Sequence, residues 1–217
     1  MTQRLAIFDC DGTLVDGQAA VCDAMDAAFT VAGLPAPDRQ QVRRIVGLSL
    51  PQAIRLLAPD QGEAQRNRVD AAYRQAFRAA RESGALAEPL YEGIAELIAA
   101  LSAADWTLAV ATGKSQRGLA HCLAEHGMTP HFASLQTADT HPSKPHPAMI
   151  DAALAETGAD RAATVMIGDT VFDMAMAAAA GVRGIGVAWG YHTVQELHDA
   201  GADAVAASPA HLRELLQ

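Results

Sequence analysis

The sequence predicts an α/β protein: an open parallel, Rossmann-like sheet with a helical insertion after its first strand. Three observations carry this reading. Short apolar runs recur without alternation, as expected for parallel strands buried on both faces. Helical segments lie between them, which is the strand–helix alternation of an open sheet. The stretch from Asp16 to about Glu88 breaks the pattern, because it contains no strand-like run.

Leu5-Ala6-Ile7-Phe8 is the first strand, and Leu108-Ala109-Val110-Ala111 follows much later. Phe132 to Gln136 is a short candidate strand. Thr164-Val165-Met166-Ile167 and Gly184-Ile185-Gly186-Val187 come next, and Ala202-Asp203-Ala204-Val205 is a weaker run. Glu92 to Ala104 has a helical pattern. Ser115 can cap a helix running to about His126, with Gly127 as its stop. Pro147 fits the first turn of a helix ending near Gly158. The alanine-rich run Ala175 to Ala180 lies within another helix. Thr193 and Glu196 have capping-box spacing, and Ser208-Pro209 opens the last helix.

Inside the insertion, Glu63 to Arg81 places Val69, Ala72, Tyr73, Ala76, Phe77 and Ala80 on one helical face, opposite Arg, Gln and Asp. This stripe is expected to be the insertion's own core rather than a binding groove. Linkers near Asp16-Gly17 and Glu88-Pro89 divide the chain into a core of residues 1–15 and 89–217 and a helical unit of residues 16–88.

Composition excludes several functions. The chain has 217 residues, half of them apolar, and a net charge of −9. A surface of that sign gives a nucleic acid no basic face, so bulk nucleic-acid binding is not expected. Any anion must be bound by a local device such as a metal, a helix N-terminus or a few placed cations. Cys10, Cys22 and Cys122 are odd in number and widely spaced, which predicts reduced thiols in a cytoplasmic protein. Met1-Thr2-Gln3-Arg4 runs straight into the first strand, without the apolar stretch of a signal peptide. No apolar run is long enough to cross a bilayer.

The residues that end the strands are the informative ones, because ligands of open parallel sheets bind at the carboxyl edge. The first strand ends in Asp9-Cys10-Asp11-Gly12-Thr13 and the second in Thr112-Gly113-Lys114. The strand at Thr164 ends in Gly168-Asp169, with Asp173 one helical turn further on, and Lys144 stands in the loop before Pro147. Only two of the sixteen basic residues are lysines, Lys114 and Lys144, and both belong to this set. Crowded carboxylates repel one another unless a cation joins them. Asp9, Asp169 and Asp173 are hard oxygen donors suited to Mg²⁺. Thr112 adds a hydroxyl, Lys144 a cation, and Gly12 and Gly113 admit an anion close to backbone N–H groups. Positioning and charge stabilisation of this kind are what phosphoryl transfer needs. Each piece alone is ordinary: Asp11-Gly12 as a turn, Thr112-Gly113 as a loop exit, Asp169-Thr170 as a helix cap. Their order and shared placement after strands are harder to reach by accident.

From Leu5 to about Leu216 the chain resembles the haloacid dehalogenase superfamily, in its phosphoglycolate-phosphatase-like branch with a helical cap. The resemblance is carried by Asp9-Cys10-Asp11-Gly12-Thr13-Leu14-Val15-Asp16, by Thr112, by Lys144-Pro145-His146-Pro147 and by Gly168-Asp169-Thr170-Val171-Phe172-Asp173. It implies a Mg²⁺-dependent phosphatase for a small phosphorylated metabolite, 2-phosphoglycolate first, working as a monomer or homodimer. Asp9 would attack phosphorus, and Asp11 would protonate the leaving oxygen and then activate water. The Asp11 carbonyl, with the Asp9 and Asp169 carboxylates, would hold the metal. Asp173 would support the metal or orient Lys144, while Thr112 and Lys144 grip the phosphate. Residues 16–88 would close over the substrate. Asp11 also separates the phosphatases from the dehalogenases, which lack that second acid.

Two departures stand out. The second motif reads Thr-Gly-Lys where phosphoglycolate phosphatases often have Thr-Asn-Lys. The insertion's loop Gly47-Leu48-Ser49-Leu50-Pro51 has Leu50 where the related mutases carry a basic residue. A mutase or pyrophosphatase on the same scaffold is the nearest alternative. A phospho-accepting receiver domain is the alternative of another class, disfavoured by chain length, the insertion and Asp11. Arg43 and Arg44 are first guesses for a substrate carboxylate, although their polar helix also reads as a solvated face. His146 reads as a loop residue, and His192 as either cleft or surface.

Overall fold

A computed structural model describes residues 3–217; Met1 and Thr2, where the reading of the N-terminus and of the 1–15 segment begins, lie outside them. Six strands form one parallel sheet: β1 (Arg4–Phe8), β2 (Trp106–Thr112), β3 (Phe132–Thr137), β4 (Thr164–Gly168), β5 (Arg183–Val187) and β6 (Ala204–Ala206). Their order is β3-β2-β1-β4-β5-β6. The order reverses between β1 and β4, the crevice where open α/β sheets bind ligands. Phe8 pairs with Val110 on one side and Ile167 on the other. Asp9, the next residue, donates its N–H to the Ile167 carbonyl at 2.9 Å.

The expected runs of the inner strands are buried on both faces, whereas the edge strand β3 alternates, with Ala133 and Leu135 exposed, and β6 is only half-buried. Along β1, Ala6 and Phe8 point into a layer with α5 (Ile94–Ala103), α6 (Gln116–Glu125) and α10 (Pro209–Leu215). Leu5 and Ile7 point the other way, onto α7 (Ala148–Thr157) and α8 (Val171–Ala180). The cap signals act as the sequence suggests. Ser115 accepts the Gly118 N–H, Thr193 and Glu196 cap each other at the start of α9 (Val194–Asp199), and Ser208 accepts the His211 N–H. Two details differ. Pro147 is the N-cap residue of α7 rather than part of its first turn. The last strand starts at Ala204 because Asp203 is used differently, its carboxylate accepting the Gly184 N–H at 2.8 Å.

Between β1 and α5 the chain forms four helices: α1 (Gln18–Val31), α2 (Arg39–Arg44), α3 (Leu50–Leu57) and α4 (Glu63–Glu82). They share an apolar core of their own, built around Cys22, Met25, Phe29, Ile54 and Val69. The chain leaves and re-enters the sheet side by side: the Asp16 N–H donates to the Pro89 carbonyl at 2.8 Å, and the Tyr91 N–H to Leu14 at 3.1 Å. Among the described residues no helix is long and apolar enough to cross a membrane.

Candidate active site

The loop after β1 is shaped to bring its polar groups onto the loop after β4. Gly12 has a φ of +86°, and a Cβ there would lie 2.2 Å from Asp169 Oδ2, so only glycine allows this approach. The Thr13 hydroxyl donates to Asp169 Oδ1 and the Tyr191 N–H to Oδ2, both at 2.9 Å. Asp173 is fixed by a capping box: its Oδ2 accepts from the N–H and hydroxyl of Thr170 at the start of α8.

Lys144 joins the two loops. Its Nζ lies 2.9 Å from Asp9 Oδ1 and 2.6 Å from Asp173 Oδ1, and all three side chains are fully buried. Asp9 Oδ1 also accepts the Cys10 N–H at 2.7 Å. Asp9 Oδ2 is buried and has no hydrogen-bond partner. Burial pushes the Asp9 carboxyl up to about 7, against the pull of Lys144, and Asp173 adds to the rise. Burial likewise raises Asp169 well above the usual carboxylate range, helped by Asp173 and Asp9. Burial works against the Lys144 charge, but Asp173 and Asp9 outweigh it and hold the ammonium above its ordinary value.

Asp9, Asp169 and Asp173 each offer an oxygen within 4.8 Å of the others. Three buried carboxylates against one lysine leave a surplus of negative charge that a divalent cation would relieve. The donors are all hard oxygens and all buried, so the set fits a hard ion such as Mg²⁺. Both Asp173 oxygens are already engaged by Lys144 and Thr170.

Asp11 points elsewhere. Lys114 Nζ reaches its two oxygens at 2.8 and 3.0 Å, and also Glu88 Oε1 at 2.6 Å. Burial disfavours the Lys114 charge, yet Asp11, Cys10 and Glu88 together lift it well above the ordinary lysine value. Thr112 is buried at the end of β2, its hydroxyl accepting the Lys114 N–H at 3.2 Å. Gly113 meets the helical insertion directly: a Cβ there would lie 2.5 Å from the carbonyl oxygens of Gly47 and Leu48. That loop covers the Asp9 end of the site, since a Cβ on Gly47 would be 3.8 Å from Asp9 Oδ2. Ser49 N–H donates to the Ser143 hydroxyl beside Lys144 at 2.9 Å.

A cavity of about 450 Å³ is lined by this loop and reaches Asp11, Thr112, Gly113 and Lys114. Its far walls come from α4 and α6. Here three expectations need correcting. Arg43 does not line the cavity, and neither does Arg44, whose guanidinium grips Glu196 in a two-pronged pair. Tyr73 and Phe77 of the expected core stripe do both jobs, packing on the insertion's core and facing the cavity. His192 is buried rather than on the surface. Its Nδ1 accepts the Val171 N–H at 3.2 Å and its Nε2 donates to the Arg44 carbonyl at 3.1 Å, linking α8 to the insertion.

Glu88 escaped the sequence reading because its partner is distant in the chain. Lys114 was visible as one of two lysines, but its tie to Asp11 was not. The sequence model of the haloacid dehalogenase-like hydrolases matches residues 6–187. A Dickeya dadantii protein named "Probable phosphatase IndB" is 40% identical over 199 residues, covering 89% of this chain and 84% of its own. A phosphoglycolate phosphatase of Agrobacterium fabrum is 33% identical over 200 residues, covering 89% and 86%. The crystal structure of a "predicted phosphatase" from Clostridium acetobutylicum shares the fold with a TM-score of 0.89 at 22% identity, covering 100% of this chain and 99% of the other. On the match that runs from β1 through β5, the chain belongs to the haloacid dehalogenase-like hydrolase family.

Proposed function

We propose that the protein is a Mg²⁺-dependent phosphatase that cleaves a small phosphomonoester through a phosphoaspartate on Asp9, with 2-phosphoglycolate the leading candidate. The observation that carries this reading is the division of labour within Asp9. Oδ1 is fixed by the Cys10 N–H and Lys144, while Oδ2 is buried, unpartnered and free to attack. Relatives named as phosphatases support the reaction class, and those named phosphoglycolate phosphatase support the substrate. The family assignment favours an esterase over a receiver-like domain.

Asp9 and Asp169, with the main-chain carbonyl of Asp11, would hold the ion, and Asp173 would orient Lys144. When bound, Mg²⁺ supplies the positive charge that lets an anionic carboxylate approach a phosphate dianion. Lys144, the Thr112 hydroxyl and the N–H groups of Gly12 and Gly113 steady the phosphoryl oxygens. Asp9 Oδ2 bonds to phosphorus as the ester P–O bond breaks, and Asp11 gives a proton to the departing oxygen. Both Asp11 oxygens face Lys114 in the structure, so one must turn towards the ester for this step. Asp11 then takes a proton from the water that splits the phosphoaspartate, releasing inorganic phosphate and restoring Asp9. Residues 16–88 act as the cap, with the Gly47–Leu48 loop shielding the phosphoaspartate from stray water.

The test is phosphate release from a panel of esters, with Mg²⁺ and after chelation. Release that requires Mg²⁺ and favours 2-phosphoglycolate supports the whole reading. Undiminished release in EDTA overturns the metal, and a tenfold preference for another ester, about 1.4 kcal/mol, overturns the substrate.

A further inference from the structure

The cavity beside the site carries charge that the transferred phosphate does not use. Arg78 and Arg81 stand three residues apart on α4, so they share a face, and Arg117 faces them from α6. Among the described residues none of the three side chains makes an ion pair or a hydrogen bond, and the Nε of Arg81 is buried without a partner. Other arginines of the cap are engaged: Arg39 by Asp23 and Asp26, Arg44 by Glu196, Arg74 by Asp70. The acids around the cavity are also spoken for. Lys114 neutralises Asp11 and Glu88, and Asp139 lies 3.9 Å from Arg74 and accepts the Gln116 N–H. A protein of net charge −9 thus keeps a local surplus of guanidinium in this cavity. Between the arginines and the phosphate end the wall is apolar, with Met25, Val46, Leu48 and Phe77. A volume of about 450 Å³ lies in the range of pockets for whole organic ligands, well beyond a two-carbon acid.

We propose that Arg78, Arg81 and Arg117 form a second-anion subsite, which selects phosphomonoesters whose leaving group has an apolar body ending in a carboxylate or a second phosphate. This rests on the phosphatase reading above and goes beyond its leading substrate, because the class it names is longer than 2-phosphoglycolate. The fork of a guanidinium matches either oxyanion in a paired hydrogen bond, and the apolar wall leaves the body of the substrate dry.

The experiment compares alkyl phosphates of matched length, short and long, that end in a hydroxyl, a carboxylate or a phosphate. kcat/KM is measured for the wild type, Arg81→Gln, Arg117→Gln and the double variant Arg78→Gln/Arg81→Gln. In parallel, calorimetry with Mg²⁺ present measures binding of the matching non-hydrolysable phosphonates. The wild type should prefer an anionic end over the hydroxyl by about tenfold or more, as a charge-assisted pair implies. The double variant should bring the anionic-to-neutral ratio close to one in both assays. The longer acids should outperform 2-phosphoglycolate, and the carboxylate and phosphate arms show which oxyanion is read. A neutral end that serves equally well in the wild type overturns the proposal. So does a ratio unchanged in the variants. Discrimination among phosphonates without hydrolysis of any ester supports the subsite while refuting the phosphatase reading.

Discussion

Replacing Lys144 by methionine removes the cation that contacts the buried Asp9 and Asp173 while nearly preserving volume. Lys144 Nζ lies 2.9 Å from Asp9 and 2.6 Å from Asp173, and all three side chains are buried. Breaking a buried ion pair from one side costs about 3–5 kcal/mol, because the remaining charges lose their partner. In a domain of this size each kcal/mol is worth about 2–4 °C. Metal-free Lys144→Met should therefore melt roughly 6–20 °C below the wild type near neutral pH. The deficit has a pH signature. Burial already raises Asp9 from 3.8 to about 7, so between those values the folded state binds more protons than the unfolded state. Stability then falls as pH rises through that window. Loss of Lys144 raises the buried carboxyls further, so the deficit should be largest at alkaline pH and shrink towards pH 4. Saturating Mg²⁺ should recover about 2.7 kcal/mol at a hundredfold excess over its dissociation constant, if the carboxylates hold it. Differential scanning calorimetry across pH, with and without Mg²⁺, measures all of this. A variant melting within about 2 °C of the wild type in metal-free buffer at neutral pH would refute the electrostatic account of the cluster.

Two further perturbations probe the contact between cap and core. Gly113→Asn restores the side chain seen in related second motifs, but its Cβ would fall 2.5 Å from the Gly47 and Leu48 carbonyls. The loop must move, and kcat/KM should drop by roughly 10²-fold, the scale of an ångström-level misplacement; wild-type kinetics would show that the loop is not packed on Gly113. His192 is held below its usual 6.5 chiefly by burial, with the Arg44 charge adding to the drop and the hydrogen bond to the Arg44 carbonyl opposing it. The unfolded state therefore takes up this proton first, and stability should fall as pH drops below about 6.5. In melting curves with Mg²⁺ present, His192→Gln should lose that part of the slope, and an unchanged slope would exclude His192 as its source.

The sheet was legible because its inner strands β1, β2, β4 and β5 are buried on both faces and read as unbroken apolar runs, while the edge strands β3 and β6 are partly exposed. The carboxylate cluster was legible because Asp9 and Asp169 each follow a strand, and β1 and β4 are neighbours at the point of reversal. What stayed hidden depends on how the insertion sits on the sheet. Helical periodicity showed that Tyr73 and Phe77 share a face, but not that this face both packs a core and lines a cavity. The reading of Arg43 and Arg44 met the same limit: proximity to the Gly47–Pro51 loop in sequence says nothing about which arginines α4 and α6 turn towards the cavity. Gly113 looked like a missing side chain, and only the carbonyls of Gly47 and Leu48 show what occupies its place. Glu88 lay at an expected linker, yet its carboxylate completes the Lys114–Asp11 pair.

The central claim is that Asp9 carries the phosphoryl group. Rapid acid quench during turnover, followed by borohydride reduction and peptide mass spectrometry, converts a phosphoaspartate into homoserine at that position. The account predicts homoserine at position 9 in the wild type, none elsewhere, and neither label nor turnover in Asp9→Asn. Normal turnover by Asp9→Asn, or label confined to another residue, would contradict it.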